Sequence, residues 1–271
     1  MMHRGRAGRL GARLAKLPRL LRSNVAGREL TRHARWALQG GAQQGAAPSN
    51  RLRTFFSERR EGRGIWKWSH YFEIYERHFN RFRGREVHLL EIGIFSGGSL
   101  EMWADYFGPA ARIYGVDIEG ACKSYESPSV KVFIGDQADR GFWQAFRREV
   151  PTLDIVIDDG GHRFHQQMVT LEELLPHVRP GGVYLCEDIH GEHNQFAAYL
   201  HGMADMLNVC QELVANPGDN ERRLVNPTTP FQAAIGSISL YPFAAVIEKN
   251  ASPILELVAP KHGSRWEPFL E

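Results

Sequence analysis

Between residues 87 and 213 short apolar runs alternate with segments of helical periodicity, and that alternation restricts the fold more than any other feature. "VHLLEIGIF", "ARIYGVDI", "VKVFIGD", "LDIVIDD" and "GGVYLCEDI" read as strands. "SLEMWADYFG", "DRGFWQAFRREV", "FHQQMVTLEELLPHV" and the long "NQFAAYLHGMADMLNVCQEL" read as helices. Strands apolar on both faces, recurring between helices, imply a parallel sheet covered on both sides: a doubly wound, Rossmann-like α/β fold. Near the end, "IGSISLY", Pro242 and "FAAVIEK" are joined too tightly for a helical crossover, which predicts an antiparallel hairpin at the sheet edge. Ahead of the first strand, "WKWSHYFEIYERHFNRF" carries Trp68, Phe72, Tyr75 and Phe79 at helical spacing, a stripe suited to packing on the core. Lys67, His70 and Tyr71 in the same stretch could reach a ligand.

These elements place one domain over residues 51–249, with a leader and linker over 1–50 and a tail over 250–271. Arg4, Arg6, Arg9, Arg13, Lys16, Arg19, Arg22, Arg28, Arg32 and Arg35 crowd the leader, where Glu29 is the single acid before residue 40. Leu10, Leu14, Leu17 and Leu21 could make a short basic amphipathic helix with weak affinity for a membrane surface, but a mobile leader ending in the linker "QGGAQQGAAPSN" is preferred. An organelle transit peptide ranks below both. The net charge of +2 gives no ground for a nucleic-acid partner. Cys122, Cys186 and Cys210 are too few and too far apart for a disulfide scaffold or a CxxC zinc motif, which fits a reducing, cytoplasmic setting. No apolar run approaches the ~20 residues needed to span a bilayer. In the tail, Trp266 and Phe269 could dock on the core or on a second copy in a homo-oligomer.

In open parallel sheets ligands bind beyond the carboxyl ends of the strands, so the residues at those ends carry the functional reading. The first strand ends in "EIGIFSGGS", where Gly93 and Gly97 allow close turns and Ser99 could cap the next helix. The second ends in Asp117, twenty-four residues after Gly93, near the spacing at which an acid grips both hydroxyls of a ribose. The third ends in Asp136 and Gln137, which could face an adenine edge. The glycine pattern G-x-x-x-G-G lacks the dinucleotide fingerprint and the triphosphate-loop lysine, so a ligand with adenosine but no phosphate suits it. S-adenosylmethionine is such a ligand, with Glu91 near its charged tail.

The fourth strand ends in "VIDDGGH" and the fifth in "LCEDIH", which brings Asp158, Asp159, His162, Glu187 and Asp188 to one crevice. Four carboxylates without a partner would raise each other's pKa, and a cation relieves this. Oxygen ligands without cysteine favour Mg2+ or a similar divalent ion. Beside a methyl donor, such an ion would acidify an acceptor hydroxyl while His162 removes its proton.

The segments "LLEIGIFSGGSLEMW", "GVDI", "DIVIDDGGH" and "PGGVYLCEDI" resemble the class I methyltransferases of the macrolide-sugar type, the mycinamicin and macrocin O-methyltransferases, over roughly residues 65–249. Proteins labelled cephalosporin hydroxylases are related to them. The resemblance implies a metal held by Asp159, Glu187 and Asp188, His162 as general base, and Asp117 and Asp136 on the adenosine; Asp158 falls among the cofactor contacts. It also implies a small-molecule or saccharide acceptor. Where those relatives continue Thr-Ser-Tyr after Glu-Asp, this chain has "IHGEHNQF", bringing His190 and His193 to the acceptor side. Two other readings stand beside this one. His162, His165, His190 and His193 could furnish two imidazoles for a non-haem iron oxygenase. A binding module could keep adenosyl recognition without chemistry.

Overall fold

The computed structural model describes residues 21–31, 50–211, 214–215, 223–260 and 262–263. The chain divides into two units, Met1–Pro48 and Ser49–Glu271. In the first, residues 21–31 form a helix, α1. The leucine pattern at residues 10–17, most of the linker, Trp266 and Phe269 lie outside the described residues.

The second unit holds a seven-stranded sheet in the order β3-β2-β1-β4-β5-β9-β8. The five parallel strands are β1 (His88–Ile92), β2 (Arg112–Asp117), β3 (Val130–Ile134), β4 (Leu153–Asp158) and β5 (Val178–Cys186). The order reverses between β1 and β4, the switch point at which such sheets open a crevice. The expected hairpin is β8 (Ile235–Tyr241) and β9 (Ala244–Lys249); β9 runs antiparallel to β5 and β8 forms the edge. Its turn carries Phe243 at φ 60°, a left-handed conformation unusual for an aromatic residue.

Helices cover both faces, as the two-sided apolarity of the strands requires. On one face lie α2 (Arg51–Glu58), α3 (Tyr71–Phe79) and α4 (Gly98–Phe107). Here Tyr75 stacks on Phe79 and meets Trp103 edge-on at 5.1 Å between ring centroids, filling one core with aromatic volume. On the other face lie α5 (Arg140–Glu149), α6 (Phe164–Leu174) and α7 (Gln195–Leu207), with Trp143, Phe146, Leu171 and Phe196 in a second core. The long helix expected over 194–213 ends at Leu207.

Two expectations change. Trp68 precedes α3 and is 50% exposed, so the stripe that packs on the core starts at Phe72. The tail expected over 250–271 contains β10 (Glu256–Pro260), which joins β6 (Val214–Ala215) and β7 (Arg223–Pro227) in a small antiparallel sheet; the short α8 (Pro230–Ala234) follows β7. Among the described residues no helix is long and apolar enough to cross a membrane.

The segment around α3 forms one wall of the crevice, and ion pairs tie its far end to the sheet. His78 Nδ1 lies 3.4 Å from Glu248 Oε2, and Arg81 Nη1 donates to Glu248 Oε1 at 2.7 Å. These partners, His78 first, hold the Glu248 carboxyl down to about 2. A carboxyl whose folded pKa is depressed contributes stability that is full above its unfolded pKa and lost as pH falls through the folded one. Because the pair is partly exposed and screened, Glu248→Gln should cost about 0.5–1 kcal/mol at pH 7, with the deficit shrinking toward pH 2. Urea unfolding of both proteins at pH 7 and pH 3 measures this; a deficit that grows on acidification contradicts the assignment.

Candidate active site

Strand parity decides which acids meet. In register, Glu91 pairs with Ile157, and Ile92 with Asp158; Ile157 pairs with Leu185, and Asp158 with Cys186. The ladder continues one step past the strands, because Asp159 N donates to Ile92 O at 3.0 Å and Glu187 N to Asp158 O at 2.8 Å. Side chains alternate between faces along each strand, so Glu91, Asp159 and Glu187 share the α3 face while Asp158 points to the opposite one. Gly93, the residue after β1, lies level with Asp159. Its φ is 81°, and a Cβ there would overlap the Asp159 carbonyl, so only glycine lets the two loops approach so closely.

Asp158, expected among the cofactor contacts, is therefore inside the second core's side of the sheet and 1% exposed. Its Oδ1 accepts from Gln137 Nε2 at 3.0 Å and its Oδ2 from the Tyr184 hydroxyl at 3.1 Å. Gln137 is committed to the same brace: it also donates to Thr170 Oγ1 and accepts from Gly161 N at 2.5 Å. Both residues thus hold the Asp-Asp-Gly-Gly-His loop in shape from beneath, although Gln137 also reaches the wall of the cavity. Burial pushes the Asp158 carboxyl up to about 7, against the donors that favour its charged form.

On the α3 face, Lys67 enters from the segment ahead of the helix. Its Nζ lies 2.6 Å from Asp159 Oδ2, 3.1 Å from Glu187 Oε2 and 3.3 Å from Glu91 Oε1. Burial alone would lower the Lys67 pKa, but Asp159, Glu187 and Glu91 together hold it well above its ordinary value, so it stays an ammonium. Tyr75 donates to Glu187 Oε1 at 2.6 Å, and Ser99 donates to Glu91 Oε2 at 2.6 Å. Ser99 does not cap α4; Gly97, at φ 75°, occupies the cap position. Glu91 is fully buried beneath the cleft, and burial pushes its carboxyl up.

Asp188 stands on the outer side of this group. Its backbone is left-handed, with φ 54°, a conformation that costs on the order of 1–3 kcal/mol for a non-glycine residue. Trp68 Nε1 and the Tyr71 hydroxyl both donate to Asp188 Oδ1 at 2.9 Å, and the Tyr71 hydroxyl accepts from the Asp188 N–H. His162 Nε2 lies 3.5 Å from Asp188 Oδ2. Asp159, His162 and Asp188 each offer a ligand atom, all within 4.8 Å of one another. Oxygen and imidazole donors without a thiolate fit a hard divalent cation. Glu187 sits one step inward, with its oxygens on Lys67 and Tyr75. Among the described residues this metal-capable group holds one histidine, whereas the two-histidine set of a non-haem iron site requires two.

A cavity of about 670 Å³ joins this group to the first three strand ends, a size ordinary for a small-molecule site. Gly93, Ser96, Asp117 and Asp136 line one side, and Asp159, His162 and Asp188 the other. Asp117 is fixed by backbone donors, Phe95 N on Oδ2 and Glu119 N on Oδ1, both at 3.0 Å. Asp117 also lines the cavity, and a carboxylate oxygen can accept more than one hydrogen bond. His165 is exposed on α6. His190 lies beside His162, with ring centroids 6.4 Å apart.

Comparison with known proteins agrees with this geometry. Residues 90–189 match the family described as a methyltransferase domain. The chain is 31% identical over 204 residues to the 8-demethyl-8-alpha-L-rhamnosyl tetracenomycin-C 2'-O-methyltransferase of Streptomyces olivaceus, covering 71% of this chain and 53% of that protein. It is 41% identical over 123 residues to the mycinamicin VI 2''-O-methyltransferase of Micromonospora griseorubida, covering 42% of this chain and 30% of that one. Among solved structures, the MycE methyltransferase of the mycinamycin biosynthetic pathway, in complex with Mg and SAH, superposes with a TM-score of 0.59 at 28% identity, over 76% of this chain and 56% of that one. The chain thus spans about half the length, or less, of these relatives.

The buried Asp158 has a measurable signature. A carboxyl whose folded pKa lies above its unfolded value, here about 7 against an ordinary value near 4, contributes stability at low pH that is lost as pH rises through 7. Asp158→Asn keeps the acceptor for Gln137 and removes the ionisation. It should flatten the fall in stability between pH 5 and pH 8 by about 1–3 kcal/mol in urea unfolding; an unchanged fall contradicts the reading.

Proposed function

We propose that this chain, whose residues 90–189 form a class I methyltransferase domain like that of the sugar O-methyltransferases, methylates a hydroxyl of a sugar or glycosylated small molecule. The observation that carries the proposal is the single cavity in which an adenosine-suited wall, Gly93 with Asp117 and Asp136, faces His162, Asp159 and Asp188. When bound, S-adenosylmethionine supplies the methyl group, and a divalent cation such as Mg2+ at Asp159 and Asp188, with Glu187 behind them, supplies charge that acidifies the acceptor hydroxyl.

The chain's own residues account for the rest. Gly93 turns the backbone at the wall of the cavity, and Asp117 accepts from the ribose hydroxyls. Asp136 lies at the adenine end. Trp68 and Tyr71 fix Asp188 in its strained backbone, so that the carboxylate does not reorganise when the acceptor arrives. His162 Nε2 faces the same oxygen set and takes the proton from the acceptor hydroxyl. An unassisted alcohol holds its proton far more tightly than a neutral imidazole can draw it away, which is why the histidine alone does not suffice. The relatives named above act on rhamnosylated and macrolide compounds by their names, which supports a sugar hydroxyl as the acceptor.

Calorimetry with S-adenosylhomocysteine, and methyl transfer to a panel of rhamnosylated acceptors with and without Mg2+, test the proposal. His162→Ala should keep cofactor affinity and lose at least about a hundredfold in turnover. Asp117→Ala should weaken S-adenosylhomocysteine binding about ten- to a hundredfold. Retained turnover in the histidine variant rejects the base; iron retention without adenosyl affinity favours an oxygenase; adenosyl binding without turnover favours a binding module.

A further inference from the structure

The acidic group has an inner and an outer half. The inner half, Glu91, Glu187 and Asp159 Oδ2, comes from β1 and from the ends of β5 and β4, and all three carboxylates meet the Lys67 ammonium, whose side chain is 2% exposed. Serine and tyrosine hydroxyls complete this half, from Ser99 to Glu91 and from Tyr75 to Glu187. The outer half, Asp188 and Asp159 with His162 beside them, lines the cavity. Lys67 is carried by none of the strands that supply the acids; it is brought in by the segment before α3, itself held by the Trp68 and Tyr71 bonds to Asp188.

We propose that Lys67 is the resident counter-cation of this cluster, a positioning residue that keeps Asp159 and Glu187 in place without metal and sets how tightly the outer half can hold a divalent ion. The inference rests on the metal-site reading above. One ammonium among three carboxylates, two of them buried and Asp159 half-buried, prevents their mutual repulsion from splaying the strand ends apart. The same charge stands one carboxylate away from the ion's position, and in a poorly screened interior it opposes the ion's binding. The site is thereby preformed yet only moderately avid, so the metal is exchangeable while its ligands remain ordered.

Binding of Mn2+ to the purified chain, followed by electron paramagnetic resonance of the free ion, tests this in wild type, Lys67→Met and Lys67→Arg. Loss of the charge should tighten Mn2+ binding by at least about tenfold, and arginine should leave it near the wild-type value. In EDTA, Lys67→Met should melt below wild type, and its melting temperature should rise more than that of wild type on adding Mn2+. Because Lys67→Met can fail to fold, Glu91→Gln and the charge-balanced double variant Lys67→Met/Glu91→Gln form a second comparison, in which the double variant should bind Mn2+ more tightly than Glu91→Gln alone. Equal or weaker binding on loss of the lysine overturns the role of Lys67. Absence of Mn2+ binding in wild type and every variant overturns the metal-site reading instead.

Discussion

The backbone ladder that runs from β1 through β4 to β5, and continues past the last strand residues through Asp159 and Glu187, is the constraint on which the site depends. It sets two acids side by side on one face and sends their neighbour Asp158 to the other. Without that register the acids would be solvated strand tips. With it, Asp159, Glu187 and Glu91 are forced into a shared, largely dry space that calls for positive charge. Burying so many carboxylates is unfavourable unless they are paired, and α3 with the segment before it supplies the pairing through Tyr75, Lys67 and Trp68. The aromatic packing of α3 on α4 therefore serves the chemistry indirectly, because it holds the segment that carries the counter-charge.

The two faces of the sheet divide the labour. On the face of α5 and α6, Asp158, Gln137, Thr170 and Tyr184 form a hydrogen-bonded brace under the loop that bears His162. On the face of α3 and α4, the charged cluster opens into the cavity. A network fully satisfied on one side and an ion-demanding one on the other give a loop that is rigid where it is supported and polar where it meets a ligand. The left-handed backbone at Asp188 fits this arrangement, since Trp68 and Tyr71 hold the strained residue in place.

Much of the architecture was legible in the sequence, because two-sided apolar runs such as "LDIVIDD" have few other homes than a covered parallel sheet. The closing hairpin was legible for the same local reason, since "IGSISLY" and the run after Pro242 leave no room for a crossover. The strand-end rule placed Gly93, Asp117, Asp159, His162 and Asp188 on one cavity. What it did not resolve was parity: adjacent aspartates in an extended segment face opposite ways, so Asp158 braces while Asp159 lines the cavity. The pairing of Lys67 is nonlocal, ninety-two residues from Asp159, so the sequence marked it only as a residue that could reach a ligand. Trp68 kept helical spacing yet left the helix, because its indole N–H finds Asp188. The small sheet of β6, β7 and β10 was missed because its strands are short and lie after the last long helix and in the segment that read as tail.

The central claim is that the ends of β4 and β5 pool their carboxylates around a divalent ion beside the adenosyl wall. Anomalous diffraction from crystals soaked with Mn2+ and S-adenosylhomocysteine reads this directly. The account predicts a manganese peak bonded to Asp159 and Asp188, close to His162, in the cavity that also holds the adenosyl group against Asp117. A peak elsewhere, or an adenosyl group bound with those carboxylates turned away from any ion, would contradict it.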